Sequence, residues 1–294
     1  MLWKVSKLAS MFALLPERLA ANWVAFWNVS HSASHLAGFA ASFPTCQSRS
    51  QQTSKKTYLS VSLLSRYGQQ MMIVCANSKG GVGKSTIATH LAVWLHDSGF
   101  KTALLDTDKQ RSSSQWIGEA EAGITVRVAD TPEECLSAVQ ELAQSHDFVI
   151  GDAPGGLEDL SRTLLILADL AVFPISPSIL DVRSVAGATA VLRYAQGING
   201  GRPEGCLVLN KMKTRSTISR ELREAAPSLG LQVASNVIRD LQVYCDAAQQ
   251  GTVVSRLRKK GASAAAEMDA LFNELVGEKV AQLNNERRMI AGNG

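Results

Sequence analysis

Residues Asn77–Thr86 read NSKGGVGKST and put two lysines, Lys79 and Lys84, in one glycine-rich loop. A phosphate-binding loop of the form G-x-x-x-x-G-K-[ST] needs only the second lysine. Here Ser78 stands where that pattern has its first glycine, and Lys79 is additional. Gly80, Gly81 and Gly83 let the backbone curl so that its N–H groups point at an anion, with Val82 the variable position between them. A following helix would add its positive end. Lys84 is then placed to reach β- and γ-phosphates, the Ser85 hydroxyl to ligate Mg²⁺, and Thr86 to reach an α-phosphate.

Three carboxylates are candidates for the rest of such chemistry. Asp152 ends the apolar run DFVIGD and matches a Walker B aspartate, which holds Mg²⁺ through water. A strand-terminal aspartate is also a common helix cap. Asp106 and Asp108, in LLDTDKQ, follow a second apolar run. Past a strand end either could face a γ-phosphate and orient or deprotonate a water for in-line attack. The plainer alternative is a polar turn capping the next helix.

The elements that must position these residues alternate. Met71–Ala76 is a short apolar run, the glycine loop follows, and Ser85–Asp97 is helically periodic up to Gly99. KTALLD (101–106), ITVRV (124–128, an edge strand), DFVIGD (147–152), DLAVFPI (169–175), GCLVLN (205–210) and LQVAS (231–235) read as further strands. Between them TPEECLSAVQELAQ opens with Thr131 as cap, Pro132 at the first helical position and Glu134 closing a capping box. Further helices are expected from about Leu180 to Gln196, near Ser216–Ala226, and twice at the carboxyl end. Continuous Val/Ile/Leu runs alternating with helices predict a parallel sheet covered on both faces, a three-layer α/β/α arrangement. Ligands on such a sheet sit at the carboxyl ends of the strands, where the loop, Asp106 and Asp152 all fall.

The chain has 294 residues and a formal net charge of +4, unevenly spread. Residues 1–70 carry seven Lys/Arg against one acid, residues 71–201 nine against fifteen, and residues 202–260 eleven against five. The first 70 residues are expected to be a translated leader or a poorly ordered extension, since Met71 and Met72 are both plausible starts. An accessory segment and an organelle transit peptide, which is similarly rich in Ser and basic residues, are the alternatives. The ATP-site domain is then 71–294. Five scattered cysteines without a C-x-x-C pair fit buried thiols and a reducing cytoplasm rather than a metal site or disulfides.

KGGVGKST, DTDKQ, VIGDAPGG and PISPSILDVRS resemble, in that order, four segments of the ParA/MinD ATPases. These are the deviant Walker A loop, the switch carrying D-x-D-P-Q, the Walker B strand and the downstream P-x-x-P-S-x-x-D segment. RDLQVYCDAAQQGTVV (239–254) is similar to the family's carboxyl-terminal region. The resemblance runs from Met71 to the last helix and is closest to short plasmid-type ParA partition ATPases. It implies a P-loop NTPase fold, ATP and Mg²⁺ as cofactors, and a homodimer in the ATP state. The family's signature lysine, matching Lys79, reaches across the dimer to its neighbour's phosphates, so hydrolysis waits for assembly. By the same resemblance Asp108 positions the attacking water, Asp106 and Asp152 support the metal with Ser85, and Asn210 lies near adenine. Lys109 departs from the proline of D-x-D-P-Q, and Arg111 stands where a glycine is common.

For partners, the resemblance implies non-specific double-stranded DNA and a ParB-like centromere-binding protein, with a cytoplasmic, nucleoid-associated location. Lys211, Lys213, Arg215, Arg220 and Arg223, then Arg256, Arg258, Lys259 and Lys260, are the candidate phosphate contacts. A solvated basic surface is the alternative. The tail VGEKVAQLNNERRMIAGNG has thinly spread apolar residues and no aromatic after Phe272, so stable membrane association through it is not expected. Other positioning ATPases (MinD-like, conjugation or flagellar) and a dethiobiotin-synthetase-like metabolic enzyme of the same fold remain alternative readings.

Overall fold

The computed structural model describes residues 70–156, 159–177, 179–213 and 231–292, with isolated positions between 220 and 226. The 1–69 stretch and most of the helix expected near 216–226 lie outside the described residues.

Seven strands form one sheet: β1 (Met71–Asn77), β2 (Thr102–Asp106), β3 (Thr125–Val128), β4 (Phe148–Gly155), β5 (Leu170–Ile175), β6 (Glu204–Leu209) and β7 (Gln232–Val233). Their order is β3-β2-β4-β1-β5-β6-β7, and every pairing is parallel. Parallel neighbours need crossovers, and helices supply them. These are α1 (Lys84–Asp97), α2 (Ser112–Ala120), α3 (Pro132–Leu142), α4 (Asp159–Leu167) and α5 (Ile179–Ile198), followed by α6 (Gln242–Gln249), a 3₁₀ turn (Val254–Arg256) and α7 (Arg258–Gly292). ITVRV is indeed the edge strand, and the capping box of α3 is present: Glu134 N donates to Thr131 Oγ1 at 3.2 Å and Thr131 N donates to Glu134 Oε2 at 3.3 Å.

Side chains of β1 alternate between two cores, which is why the run is apolar throughout. Ile73 and Cys75 join Ile87, Leu91 and Leu95 of α1 and Leu271 and Phe272 of α7 on one face. Met72, Val74 and Ala76 join Val139 of α3, Leu164 of α4 and Leu192 of α5 on the other. The result is a three-layer α/β/α fold. Cys75, Cys135 and Cys206 are buried thiols, and Cys245 is exposed.

His90 ties α1 to the 3₁₀ turn. Val254 N donates to its Nε2 at 3.2 Å, so Nδ1 carries the proton and donates to Thr86 O at 2.8 Å. Trp116 and Tyr244 pack edge-on against the ring. Burial lowers the imidazole pKa from 6.5 to about 4, against the pull of the Thr86 carbonyl. A second proton would also face the Val254 N–H. The unfolded chain therefore takes up the proton first. The full stability is present above pH 6.5 and is lost as pH falls towards 4. From pH 7.5 to 5.5 this site should cost about 1 kcal/mol. Urea midpoints of wild type and His90→Gln at the two pH values check it: the fall should be smaller in the variant.

Candidate nucleotide site

The loop between β1 and α1 is shaped for an anion. Gly81 and Gly83 adopt φ of +75° and +99°, which side-chain-bearing residues rarely tolerate. Gly83 caps α1 in this left-handed conformation, and no side chain caps the helix. Its first N–H groups are thus left for a ligand, at the positive end of a helix that carries no acid in its first turn. Lys84 is buried, and its ammonium donates to Lys79 O at 3.3 Å, folded over the loop. The Lys79 amide donates to Asn77 Oδ1 at 3.1 Å, while Asn77 Nδ2 donates to Pro174 O of β5 at 2.7 Å. Asn77 latches the loop to the neighbouring strand, a role its place in the motif does not reveal.

Two further contacts brace the loop from β6. Asn210 Nδ2 donates to Val82 O at 2.7 Å, and Lys211 Nζ donates to Gly81 O at 2.8 Å. Asn210 is buried, with its amide bonded to Ile175 O. Lys211, a candidate DNA contact by sequence, reaches the phosphate loop instead of standing clear of it. Its φ of +54° turns the chain back towards that loop.

Register brings the aspartates to the same edge. Asp106 of β2 is the direct partner of Asp152 of β4, and Asn77 of β1 is paired with Gly155 of β4. A Cβ on Gly155 would lie 3.8 Å from the Gly80 Cα, so the end of β4 runs against the loop. Asp106 accepts Asp108 N at 2.9 Å on one oxygen and Ser114 N at 3.0 Å on the other. It is therefore a remote cap for α2 and fixes the switch that carries Asp108. Asp108, half-buried, accepts Gln110 N at 3.0 Å. Arg111 explains its departure from glycine: it sits at φ +53°, a conformation that costs roughly 1–2 kcal/mol for an L-residue. Its guanidinium offsets this by donating to Asp106 O and to the Asp130 carboxylate.

Asp152 is fully buried, and neither carboxylate oxygen has a hydrogen-bond partner. Burial pushes its pKa up to about 7, opposed by the nearby Ser85 and Ser113 hydroxyls and by Lys84, and reinforced by Asp106. The Ser113 hydroxyl is likewise buried and unpartnered. A buried carboxyl group with two orphaned oxygens beside an anion cradle is an arrangement that a bridging cation completes.

The chain matches the family model described as the CobQ/CobB/MinD/ParA nucleotide binding domain over residues 73–288. It belongs to this family. It is 31% identical over 210 residues to the maintenance of carboxysome distribution protein A of Halothiobacillus neapolitanus, across 69% of this chain and 95% of that protein. It is 29% identical over 160 residues to the chromosome-partitioning ATPase Soj of Thermus thermophilus, across 43% of this chain and 64% of that protein. Among solved structures it is similar to an ATP complex of Cyanothece McdA, with a TM-score of 0.60 at 17% identity, over 71% of this chain and 97% of that one.

ParA/MinD ATPases imply a magnesium ion, and the donors fit it. Among the described residues no group of three His, Cys, Asp or Glu side chains could cage a metal. The two orphaned oxygens of Asp152 suit magnesium, which keeps several waters and takes its other ligands from substrate phosphates. Ser85 and Asp152 are the residues that would hold it, and the ion would neutralise phosphate charge. Clefts lined by His96, Phe100, Lys101, Gly123 and His146, and by His90, Trp94, Val254, Met268 and Phe272, contain no phosphate-loop residue and none of Asp106, Asp108 and Asp152.

The basic residues named from sequence are scattered. Arg220 pairs with Glu224 at 3.9 Å, and Arg223 donates to Ser235 O at 3.0 Å. Lys213 is exposed, and Arg215 lies outside the described residues. Arg256 is spoken for: its guanidinium pairs with Glu121 at 2.6 Å and Asp97 at 3.1 Å and donates to Ala120 O. It clamps the carboxyl ends of α1 and α2 to the 3₁₀ turn. Lys260 pairs with Asp246 at 2.8 Å, while Arg258 and Lys259 are exposed at the start of α7. Since α1 has 14 residues, about 21 Å of helix separates Arg256 from the phosphate loop. No helix of the described residues is long and apolar enough to cross a membrane. Met289 and Ile290, near the end of α7, are exposed.

Proposed function

We propose that this protein is an ATP-hydrolysing positioning ATPase. ATP brings two protomers together, the loaded dimer is held on bulk double-stranded DNA, and a ParB-like partner on the cargo triggers hydrolysis and release. The observation that carries the reading is the phosphate loop itself. An uncapped helix start, two left-handed glycines and a second lysine lie against a β4 end whose buried aspartate has no partner. Lys79 supplies from the other protomer the charge that completes the site, as an arginine finger does, so turnover is tied to assembly. Asp108 orients the attacking water, and Asp106 holds the switch in place. Asn210 stands near adenine and braces Val82 at once. The cargo is a plasmid, a chromosome or a protein body. The similarity to a carboxysome-distribution protein over nearly its whole length supports widening the cargo beyond DNA.

DNA contact falls to the basic residues that are not consumed by internal ion pairs, above all Arg258 and Lys259. Arg258→Ala/Lys259→Ala should weaken retention on non-specific duplex DNA at least about tenfold, leaving ATP binding intact. Log affinity should fall linearly with log salt, with a slope shallower by about two in the double variant. Filter binding with a hydrolysis-slow ATP analogue at 50–200 mM salt reads both. Retention that ignores both ATP and salt, or fast turnover indifferent to DNA with a metabolite as acceptor, favours a metabolic enzyme of the same fold.

A further inference from the structure

We propose that Ser113 is a positioning residue for the divalent cation: when the site is loaded, its buried hydroxyl turns to donate to the Asp152 carboxylate and fixes which face of that carboxylate meets the metal. The inference rests on the nucleotide-site reading above and adds to it a residue that no motif contains. Ser113 lies in the first turn of α2, immediately before Ser114, whose amide is anchored on Asp106. That anchor holds the first turn of α2 on Asp106, the register partner of Asp152, and the Ser113 hydroxyl lies near enough to Asp152 to oppose the effect of burial on its carboxyl group. Ser113 is 0% exposed and its Oγ has no partner, while both oxygens of Asp152, also 0% exposed, have none either. The Ser112 and Ser114 side chains differ from it. Ser112 is exposed, and the Ser114 hydroxyl donates to Arg111 O at 3.0 Å.

A hydroxyl left unpartnered in a protein interior is a standing cost, and an alanine would fill the same space without it. The cost is recovered if the group acts when the site is loaded. A carboxylate that binds a cation directly or through water is oriented by hydrogen bonds on its outer face, and loss of such a partner lowers metal affinity by about 10–100-fold. Thr107 holds the backbone side of the same residue, with its amide and hydroxyl both donating to Asp152 O at 3.1 and 2.9 Å. Thr107 therefore fixes the main chain, and Ser113 fixes the side chain. Because Ser113 belongs to the helix that follows Asp108, a loaded metal and an ordered switch reinforce each other.

The test uses the full chain with ADP and Mn²⁺ as the probe, with free Mn²⁺ read by electron paramagnetic resonance. Ser113→Ala should bind Mn²⁺ at least about tenfold more weakly than wild type. Affinity for ADP in excess chelator should be unchanged, and the nucleotide-free protein should melt about 2–4 °C higher. Ser113→Cys, close in size but a weak donor, should lose nearly as much Mn²⁺ affinity as the alanine variant. Equal Mn²⁺ affinity in wild type and either variant overturns the role of the hydroxyl and leaves the nucleotide site standing. A wild-type protein that takes up no Mn²⁺ in the presence of ADP overturns the nucleotide-site reading itself.

Discussion

Lys84→Gln is expected to lose ATP binding, whereas Lys79→Gln is expected to bind ATP near the wild-type level and fail to hydrolyse it. The two lysines are five residues apart in one loop, yet the fold treats them differently. Lys84 is the first residue of α1, is only 6% exposed, and holds its ammonium over the loop on the Lys79 carbonyl. Phosphate would replace that carbonyl. Losing charge-assisted bonds of about 1.5–3 kcal/mol corresponds to roughly 10–150-fold in affinity. Lys79 lies ahead of the glycines, and the ParA/MinD resemblance gives it a target in the other protomer. Removing a cation delivered in trans should cost about 10³-fold or more in turnover. Binding of a fluorescent ATP analogue and phosphate release separate the two effects. A mixing experiment is sharper. Combining Lys79→Gln with Asp108→Ala protomers creates dimers in which one site has its own Asp108 and an intact lysine from its neighbour. Turnover that neither variant shows alone should then return. If the mixture stays as inactive as its components, Lys79 does not act across the dimer.

Gly83→Ala should be nearly as damaging, for a reason held in the backbone. The residue sits at φ +99°, and a Cβ there would lie 2.1 Å from Asn210 Nδ2. An alanine meets the left-handed strain, roughly 1–2 kcal/mol, and also pushes Asn210 off the Val82 carbonyl, worth about 1 kcal/mol more. Together they predict a fall in nucleotide affinity of about 30–150-fold. Gly83→Ala/Asn210→Ala removes the collision but not the strain, and should recover part of the loss. Gly80→Ala is the control: its added Cβ meets nothing within 4 Å, and its φ is not in the left-handed region. Calorimetric titration with ADP across the three variants checks the ranking. A Gly83→Ala protein that binds like wild type would falsify the loop geometry described here.

The parts of this protein that one stretch of chain specifies were legible in the sequence. The glycine loop, the strand-ending aspartates, the capping box of α3 and the alternation of apolar runs with helices are local patterns, because φ/ψ preference, capping and side-chain period act within a few residues. The parallel sheet followed, since runs apolar on both faces must be covered on both. Contacts between segments distant in sequence were decided only by tertiary structure. Lys211 read as a DNA contact because charge is visible in sequence and direction is not. A left-handed φ after β6 points it at Gly81, 130 residues earlier. Arg256 read likewise, until the fold set Asp97 and Glu121 around it. Arg111 stood out only as a misplaced glycine, until its backbone conformation and its bond to Asp106 O explained both facts. Ser113 carried no signal at all, one serine among three, and only the folding of α2 back onto Asp106 buried it beside Asp152. Sequence fixes what each residue can do, whereas the long-range packing that folds the sheet chooses which residues face one another.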